Sequence, residues 1–117
     1  MKPKPQISVH ELIANGDKLP ATFLPYDTYS QERAGFVAFA IGGEFIALPL
    51  SALVKASLRA GATSIALDFG PLLVRIDGRF LDELFESFLL EKVQVVRTGR
   101  HPSCTIESVR IVEAMGI

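Results

Sequence analysis

The chain has 117 residues and a formal net charge of −1; 49% of its residues are hydrophobic and 21% are charged. A chain of this length suits one domain and buries about two thirds of the surface that it exposes when unfolded. The composition excludes a largely disordered chain, and the near-neutral charge argues against general attraction to nucleic acid or anionic membranes. We therefore predict a single domain over residues 1–117, with residues 1–6 as a tail.

The sequence shows no pattern that directs it to a membrane or to an oxidising compartment. Its two N-terminal lysines are not followed by the apolar segment that a signal peptide requires. Its apolar runs are short, whereas a transmembrane helix needs roughly 20 residues. The single cysteine, Cys104, has no partner for an intrachain disulfide. We therefore predict a cytoplasmic protein.

The first third of the chain is its least regular part. Ser8 begins a capping-box pattern, which predicts a short helix over residues 9–15, with a strand over residues 7–12 as the alternative. Residues 19–33 contain prolines and both tyrosines. We interpret this stretch as a loop with a short extended piece at residues 22–24.

Alternating apolar residues over Gly35–Leu50, interrupted by Gly42-Gly43, predict a β-hairpin with a two-residue turn. Both faces of this hairpin are apolar, which predicts burial on both sides. Residues 51–60 fit either a helix or a strand. We favour a strand, because the segments that follow are strands joined by tight turns.

Two further strands are predicted over residues 64–69 and 72–76, joined by a turn at Gly70-Pro71. Their apolar residues alternate with polar ones, so that one face is buried and the other exposed. On the exposed face we expect Asp68 and Arg75 to pair, for at most about 1 kcal/mol.

The clearest element is an amphipathic helix from Phe80 to about Glu91. Its apolar residues recur at helical spacing and cover an arc of about 180°. They are Phe80, Leu81, Leu84, Phe85, Phe88 and Leu89. Asp77 is placed to act as its N-cap. Leu90 falls in the polar arc and is the one apolar residue out of place.

Strands over residues 93–97 and 105–113 complete the pattern. The predicted fold class is α+β, with an antiparallel, partly meandering sheet of about five to seven strands. The one major amphipathic helix packs on one face of this sheet.

The densest positive cluster in the sequence contains Arg97, Arg100 and His101. Two guanidinium groups and an imidazole on a loop with a glycine suit a phosphate or a carboxylate. A solvated strand end explains the same residues, and we favour that interpretation.

Cys104 follows His101 by three residues, a spacing compatible with a nucleophile and its base or with half of a metal site. A zinc site needs about four ligands, and the chain has only one other histidine, His10, and no other cysteine. We therefore predict no metal, no cofactor and no catalytic residue, and we favour a protein that is not an enzyme.

Three apolar or aromatic residues are candidates for an interface with another protein: Tyr26, Tyr29 and Leu90. The tyrosines lie in the long loop near Arg33, a composition typical of contact surfaces. The alternative is that both rings cover an edge of the core.

We predict a non-catalytic assembly module that self-associates as a homo-oligomer or binds another protein. Its basis is the excess of apolar residues on a near-neutral chain without a catalytic constellation. The alternative is a protein that binds a small molecule or an anion through the loop of Arg97, Arg100 and His101. We do not expect a membrane or nucleic acid as a partner.

Overall fold

The computed structural model describes residues 24–28 and 34–113. Over these ranges the chain forms eight β-strands, one α-helix and one turn of 3-10 helix. In chain order the elements are β1 (Tyr26–Thr28), β2 (Phe36–Ile41), β3 (Glu44–Pro49), the 3-10 turn (Leu50–Ala52), β4 (Lys55–Leu58), β5 (Ser64–Asp68), β6 (Leu72–Arg79), α1 (Asp82–Leu89), β7 (Val93–Val96) and β8 (Thr105–Glu113). The helix predicted over residues 9–15 lies outside the described residues.

The strands form two four-stranded sheets with one helix packed on them, which confirms the predicted α+β class. The first sheet has the order β1-β7-β2-β3, and the second has the order β4-β5-β6-β8. All pairs are antiparallel except β2 and β7, which are parallel. A parallel pair needs a long connection, and the strands from β3 to β6 together with the helix provide it. This crossover divides the strands between two sheets, where the sequence predicts one.

The hairpin of β2 and β3 agrees with its prediction. Its turn is Gly42-Gly43, with φ angles of 58° and 86° that favour glycine at both positions. β2 is buried on both faces, because the consecutive residues Val37, Ala38 and Phe39 are all buried. β3 is an edge strand of the first sheet, and each of its residues is half-buried or exposed, so the predicted burial on both sides is wrong for this strand.

The strand β1 lies in the segment that the sequence predicts as a loop. It pairs antiparallel with β7, and the Arg97 N–H donates a hydrogen bond of 2.8 Å to the Pro25 carbonyl oxygen. The prediction of an irregular segment is therefore wrong for Tyr26–Thr28. These three residues become a strand because a partner far along the chain supplies their hydrogen bonds.

The second sheet begins as a meander of β4, β5 and β6. β4 confirms the strand favoured for residues 51–60 over Lys55–Leu58 only, because the start of that segment lies in the 3-10 turn. The predicted pairing of Asp68 with Arg75 is wrong. The register places Asp68 opposite Leu73 and Arg75 opposite Ala66. The Asp68 carboxylate instead accepts a hydrogen bond of 2.8 Å from the Gly70 N–H in the turn.

The helix begins later than predicted, because β6 continues pairing with β8 as far as Arg79. Asp77 therefore lies inside a strand, and the prediction that it caps the helix is wrong. Phe80 then has a φ of 57°, which separates the strand from the helix that starts at Asp82. At the other end Glu91 also has a φ of 57°, a left-handed conformation typical of the residue after a helix C-cap.

The buried face of α1 is narrower than the predicted half-cylinder. Leu84 and Phe88 are buried, together with Leu81 just before the helix. Phe80 and Leu89, which the prediction placed on the buried arc, are 57% and 60% exposed. The helix packs against β4 and β7, so it contacts one strand from each sheet.

One hydrophobic core includes side chains from both sheets and from the helix. Phe39 of β2 contacts Phe69, which follows β5, edge to face with ring centroids 6.3 Å apart. The same ring stacks with Phe88 of α1 at 6.5 Å. This triad of aromatic rings joins the first sheet, the second sheet and the helix.

Candidate functional site

The loop after β7 does not present its three predicted anion-binding side chains on one surface. Arg97 is buried, at 7% exposure, whereas Arg100 is exposed. A terminal nitrogen of the Arg97 guanidinium lies 3.6 Å from the point where a Cβ on Gly99 would stand. Arg97 is therefore part of the packing beneath the loop, and only Arg100 extends fully into solvent.

His101 is used by the turn that leads into β8. Its Nδ1 accepts a hydrogen bond of 3.0 Å from the Ser103 N–H. Its carbonyl oxygen accepts bonds from the Cys104 N–H at 3.1 Å and from the Thr105 hydroxyl at 3.3 Å. These contacts hold the turn in shape, and they occupy the ring nitrogen that a base would need on this side.

Cys104 is buried at the start of β8, and its surroundings keep the thiol protonated. Burial raises the pKa of Cys104 to about 12, and the negative charges of Asp82 and Glu83 act in the same direction. A nucleophilic cysteine instead needs a lowered pKa and positive surroundings. Among the described residues, no group therefore activates this thiol.

Tyr26 packs against the core, as the alternative interpretation of the tyrosines proposes. Burial raises the pKa of its hydroxyl to about 12, and Cys104, Glu83 and Asp82 add to this shift. The ring thus covers the core beside the start of α1. Tyr29 lies outside the described residues.

The described ranges 24–28 and 34–113 contain neither a candidate metal site nor a candidate membrane-spanning helix. No group of three or more histidine, cysteine, aspartate or glutamate side chains is placed to hold a metal ion there. No helix in those ranges is long and apolar enough to cross a membrane.

Four large apolar side chains are exposed in segments close to the end of α1. Phe36 is 59% exposed, Val54 73%, Leu89 60% and Leu90 61%. We call these four residues the apolar end surface. Leu90 is the interface candidate predicted from the sequence, and its side chain is free of the core.

Backbone hydrogen bonds bring the segments of the apolar end surface together. The Ala34 N–H donates a bond of 2.7 Å to the Glu91 carbonyl oxygen, which joins the start of β2 to the end of the helix. The Leu50 N–H donates a bond of 3.0 Å to the Gly35 carbonyl oxygen, which brings the 3-10 turn to the same place. Val54 follows this turn. Three segments distant in sequence therefore meet at one end of the fold.

A second feature lies on the solvent-facing side of the second sheet. It is a shallow depression of about 280 Å³ over β4, β5 and β6. Its lining residues are Ser57, Leu58, Arg59, Ser64, Ala66 and Arg75. None of the residues predicted from the sequence as ligand-binding lines it.

Comparison of the chain with known protein families, with curated proteins and with solved structures found no match. The function is therefore argued from the surfaces themselves. Sequence reasoning identified Leu90 because it breaks the polar face of a helix. It missed Phe36 and Val54, because their exposure depends on which strand ends are left uncovered by the rest of the fold.

Proposed function

We propose that this domain is a non-catalytic assembly module that associates with a second copy of itself through the apolar end surface. The observation that carries the proposal is the exposure of Phe36, Val54, Leu89 and Leu90, each more than half exposed at one end of the fold. Single exposed apolar residues are ordinary, whereas several of them in neighbouring segments are typical of an interaction site.

A second copy fits this surface better than a strongly charged partner. The net charge of −1 leaves little repulsion between copies. Glu91 and Lys92 lie beside the apolar end surface and carry opposite charges. In a two-fold interface both copies use the same surface. If one residue contacts a second residue of the partner, the second residue contacts the first residue of the partner in the same way. Glu91 of one chain can therefore pair with Lys92 of its partner, and the symmetry repeats this pair.

The chemistry of the domain favours binding over catalysis. The buried thiol of Cys104 has a raised pKa, and His101 serves the turn before β8. A free cysteine is also in keeping with a reducing, cytoplasmic location, which is part of this proposal.

Size-exclusion chromatography with light scattering tests the proposal on the full chain at high micromolar concentration. We expect a mass of about 25 kDa, which is twice the 12.7 kDa of one chain. Leu90→Lys should shift the mass to that of a monomer, because like charges then face each other across the two-fold axis. A lysine also suits the C-terminus of a helix, so the variant should fold normally.

Leu73→Lys is the matched control. Leu73 is exposed on the face of the second sheet, away from the apolar end surface, and this variant should remain a dimer. A monomeric parent chain would overturn the proposal. A Leu90→Lys variant that stays dimeric would show that copies associate through another surface.

A further inference from the structure

We infer that the solvent-facing side of the second sheet binds a phosphate monoester in the depression between Arg59 and Arg75. This inference is independent of self-association, because the depression and the apolar end surface are formed by different segments. It rests on the shape of the depression, on the charges around it and on the way in which Asp77 holds its neighbours.

The shape follows from the register of the strands. Ser57 of β4, Ala66 of β5 and Arg75 of β6 stand side by side in one row across the sheet. Ala66 has only a methyl group, so it forms a low floor between larger neighbours. Arg59, which directly follows β4, borders the same depression. Two arginines therefore line a hollow that also contains the small side chains of Ser57 and Ala66.

The charges on this face are unlike those of the whole chain. In the part of the sheet that the structure describes, five cationic side chains share the exposed face, namely Lys55, Arg59, Arg75, Arg79 and Arg110. Three carboxylates accompany them, namely Asp68, Asp77 and Glu107. A chain of net charge −1 thus concentrates positive charge on one side of one sheet.

Asp77 orients two of these arginines. Its carboxylate accepts hydrogen bonds from Arg75 Nε at 3.3 Å and from Arg110 Nη2 at 3.2 Å. The Ser108 hydroxyl donates a third bond at 3.3 Å, and Ser64 contributes a fourth. Arg75 bonds to Asp77 through Nε, and the two terminal nitrogens of its guanidinium take no part in that bond. This arrangement fixes the arginine in place for a ligand.

The chemistry of the lining selects the class of ligand. Guanidinium groups bind phosphate oxygens through two parallel hydrogen bonds, and the exposed hydroxyl of Ser57 adds a donor nearby. No aromatic side chain lines the depression, whereas binding of single-stranded nucleic acid depends on stacking of bases on aromatic rings. A volume of about 280 Å³ suits a small molecule. A sugar phosphate has the required charge and size.

Titration of the ¹⁵N-labelled full chain followed by NMR tests the inference. The probes are glucose 6-phosphate, inorganic phosphate, acetate and glucose. We expect glucose 6-phosphate to bind saturably, with shifts centred on residues 57–66 and on Arg75. Inorganic phosphate should bind more weakly at the same residues, and glucose should not bind. Acetate binding as tightly as glucose 6-phosphate would overturn the assignment of a phosphate.

Two variants with the same change of charge complete the test. Arg59→Gln should weaken binding of glucose 6-phosphate by about tenfold or more, because it removes one guanidinium from the depression. Arg100→Gln, in the exposed loop after β7, should leave binding unchanged. Equal weakening by both variants would show general attraction of an anion, and binding unaffected by Arg59→Gln would overturn the inference. The spectra of both variants report whether each remains folded.

Discussion

The chain contains two groups of basic side chains that the fold uses in opposite ways. The first group is contiguous in sequence and runs from Arg97 to His101. In the structure the Arg97 side chain is buried and the Arg100 side chain is exposed. The second combines Arg59, which directly follows β4, with Arg75 of β6 and Arg110 of β8, and all three side chains are exposed on one side of one sheet. The group that is less visible in the sequence is the one whose side chains share an exposed face.

The difference follows from the geometry of strands. Successive residues of a strand point to opposite faces. Neighbouring residues at the end of a strand therefore place their side chains on different sides of the sheet. Residues opposite each other on paired strands point to the same face and lie about 5 Å apart. Positive charge therefore accumulates through register, as it does between Arg75 and Arg110, rather than through a run of basic residues.

The largest loss of stability is expected for a substitution at Gly78, in the bulge between β6 and β8. A Cβ added at Gly78 would collide with the carbonyl oxygen of Thr105. Because backbone stands in the way, we expect Gly78→Ala to lower the free energy of unfolding by about 3 kcal/mol or more. Urea denaturation measures this loss.

The control for the bulge is Gly35→Ala, since a Cβ there meets nothing within 4 Å. We expect this variant to change the free energy of unfolding by less than about 0.5 kcal/mol. If Gly78→Ala were as stable as the parent chain, β8 would have room to move away from β6. The alignment of Asp77 with the arginines of the second sheet would then be less rigid than we infer.

The next effect separates the two members of the contiguous group. Arg97→Ala removes a buried side chain beside Pro25 and Gly99, and we expect it to lower the free energy of unfolding by about 1 to 3 kcal/mol. Arg100→Ala removes an exposed side chain, and we expect a change within about 0.5 kcal/mol. Thermal or urea unfolding of the two variants under one set of conditions measures both. Equal stabilities would contradict the contrast between a buried and an exposed arginine.

Local patterns in the sequence predict those parts of the fold that depend on local interactions. Gly42-Gly43 marks its hairpin because both positions favour a positive φ. The last strand is predicted over the same residues that the structure shows, because its alternation is regular. β1 has three residues and owes its existence to β7. The start of α1 depends on the pairing of β6 with β8. The helical spacing of apolar residues in the sequence cannot predict this pairing.

The surfaces divide in the same way. Leu90 is recognisable from the sequence because a helix determines the direction of each of its side chains. The depression between Arg59 and Arg75 depends on the register of three strands, and a register inferred from the sequence alone led to the wrong partner for Arg75. Phe36 is exposed because its strand begins at an end of the fold that no other described segment covers. Such features become visible only when the strands are placed side by side.

The smallest expected effect concerns Asp77, which links two arginines of the second group. Burial opposes ionisation of this carboxyl, but hydrogen bonds from Ser64 and Arg75, the charge of Arg75 and a bond from Arg110 together lower its pKa below the ordinary value of 3.8. A lowered pKa in the folded state means that Asp77 stabilises the fold fully above the unfolded pKa of about 4. This stabilisation is lost as the pH falls below 3.8 through the folded pKa.

Asp77→Asn should therefore be less stable than the parent chain at pH 7, and the difference should shrink below about pH 4. Water reaches the carboxylate, so we expect a difference of about 1 kcal/mol or less at pH 7. Urea denaturation at pH 7, 5, 4 and 3 measures it. Glu107→Gln is the control, because Glu107 lies 3.9 Å from Arg79 and both side chains are more than half exposed. If the difference in the free energy of unfolding between the parent chain and Asp77→Asn were the same at pH 3 as at pH 7, the ionised carboxylate would not be what holds Arg75 and Arg110 in place. The arrangement of the second group of arginines would then result from strand register alone.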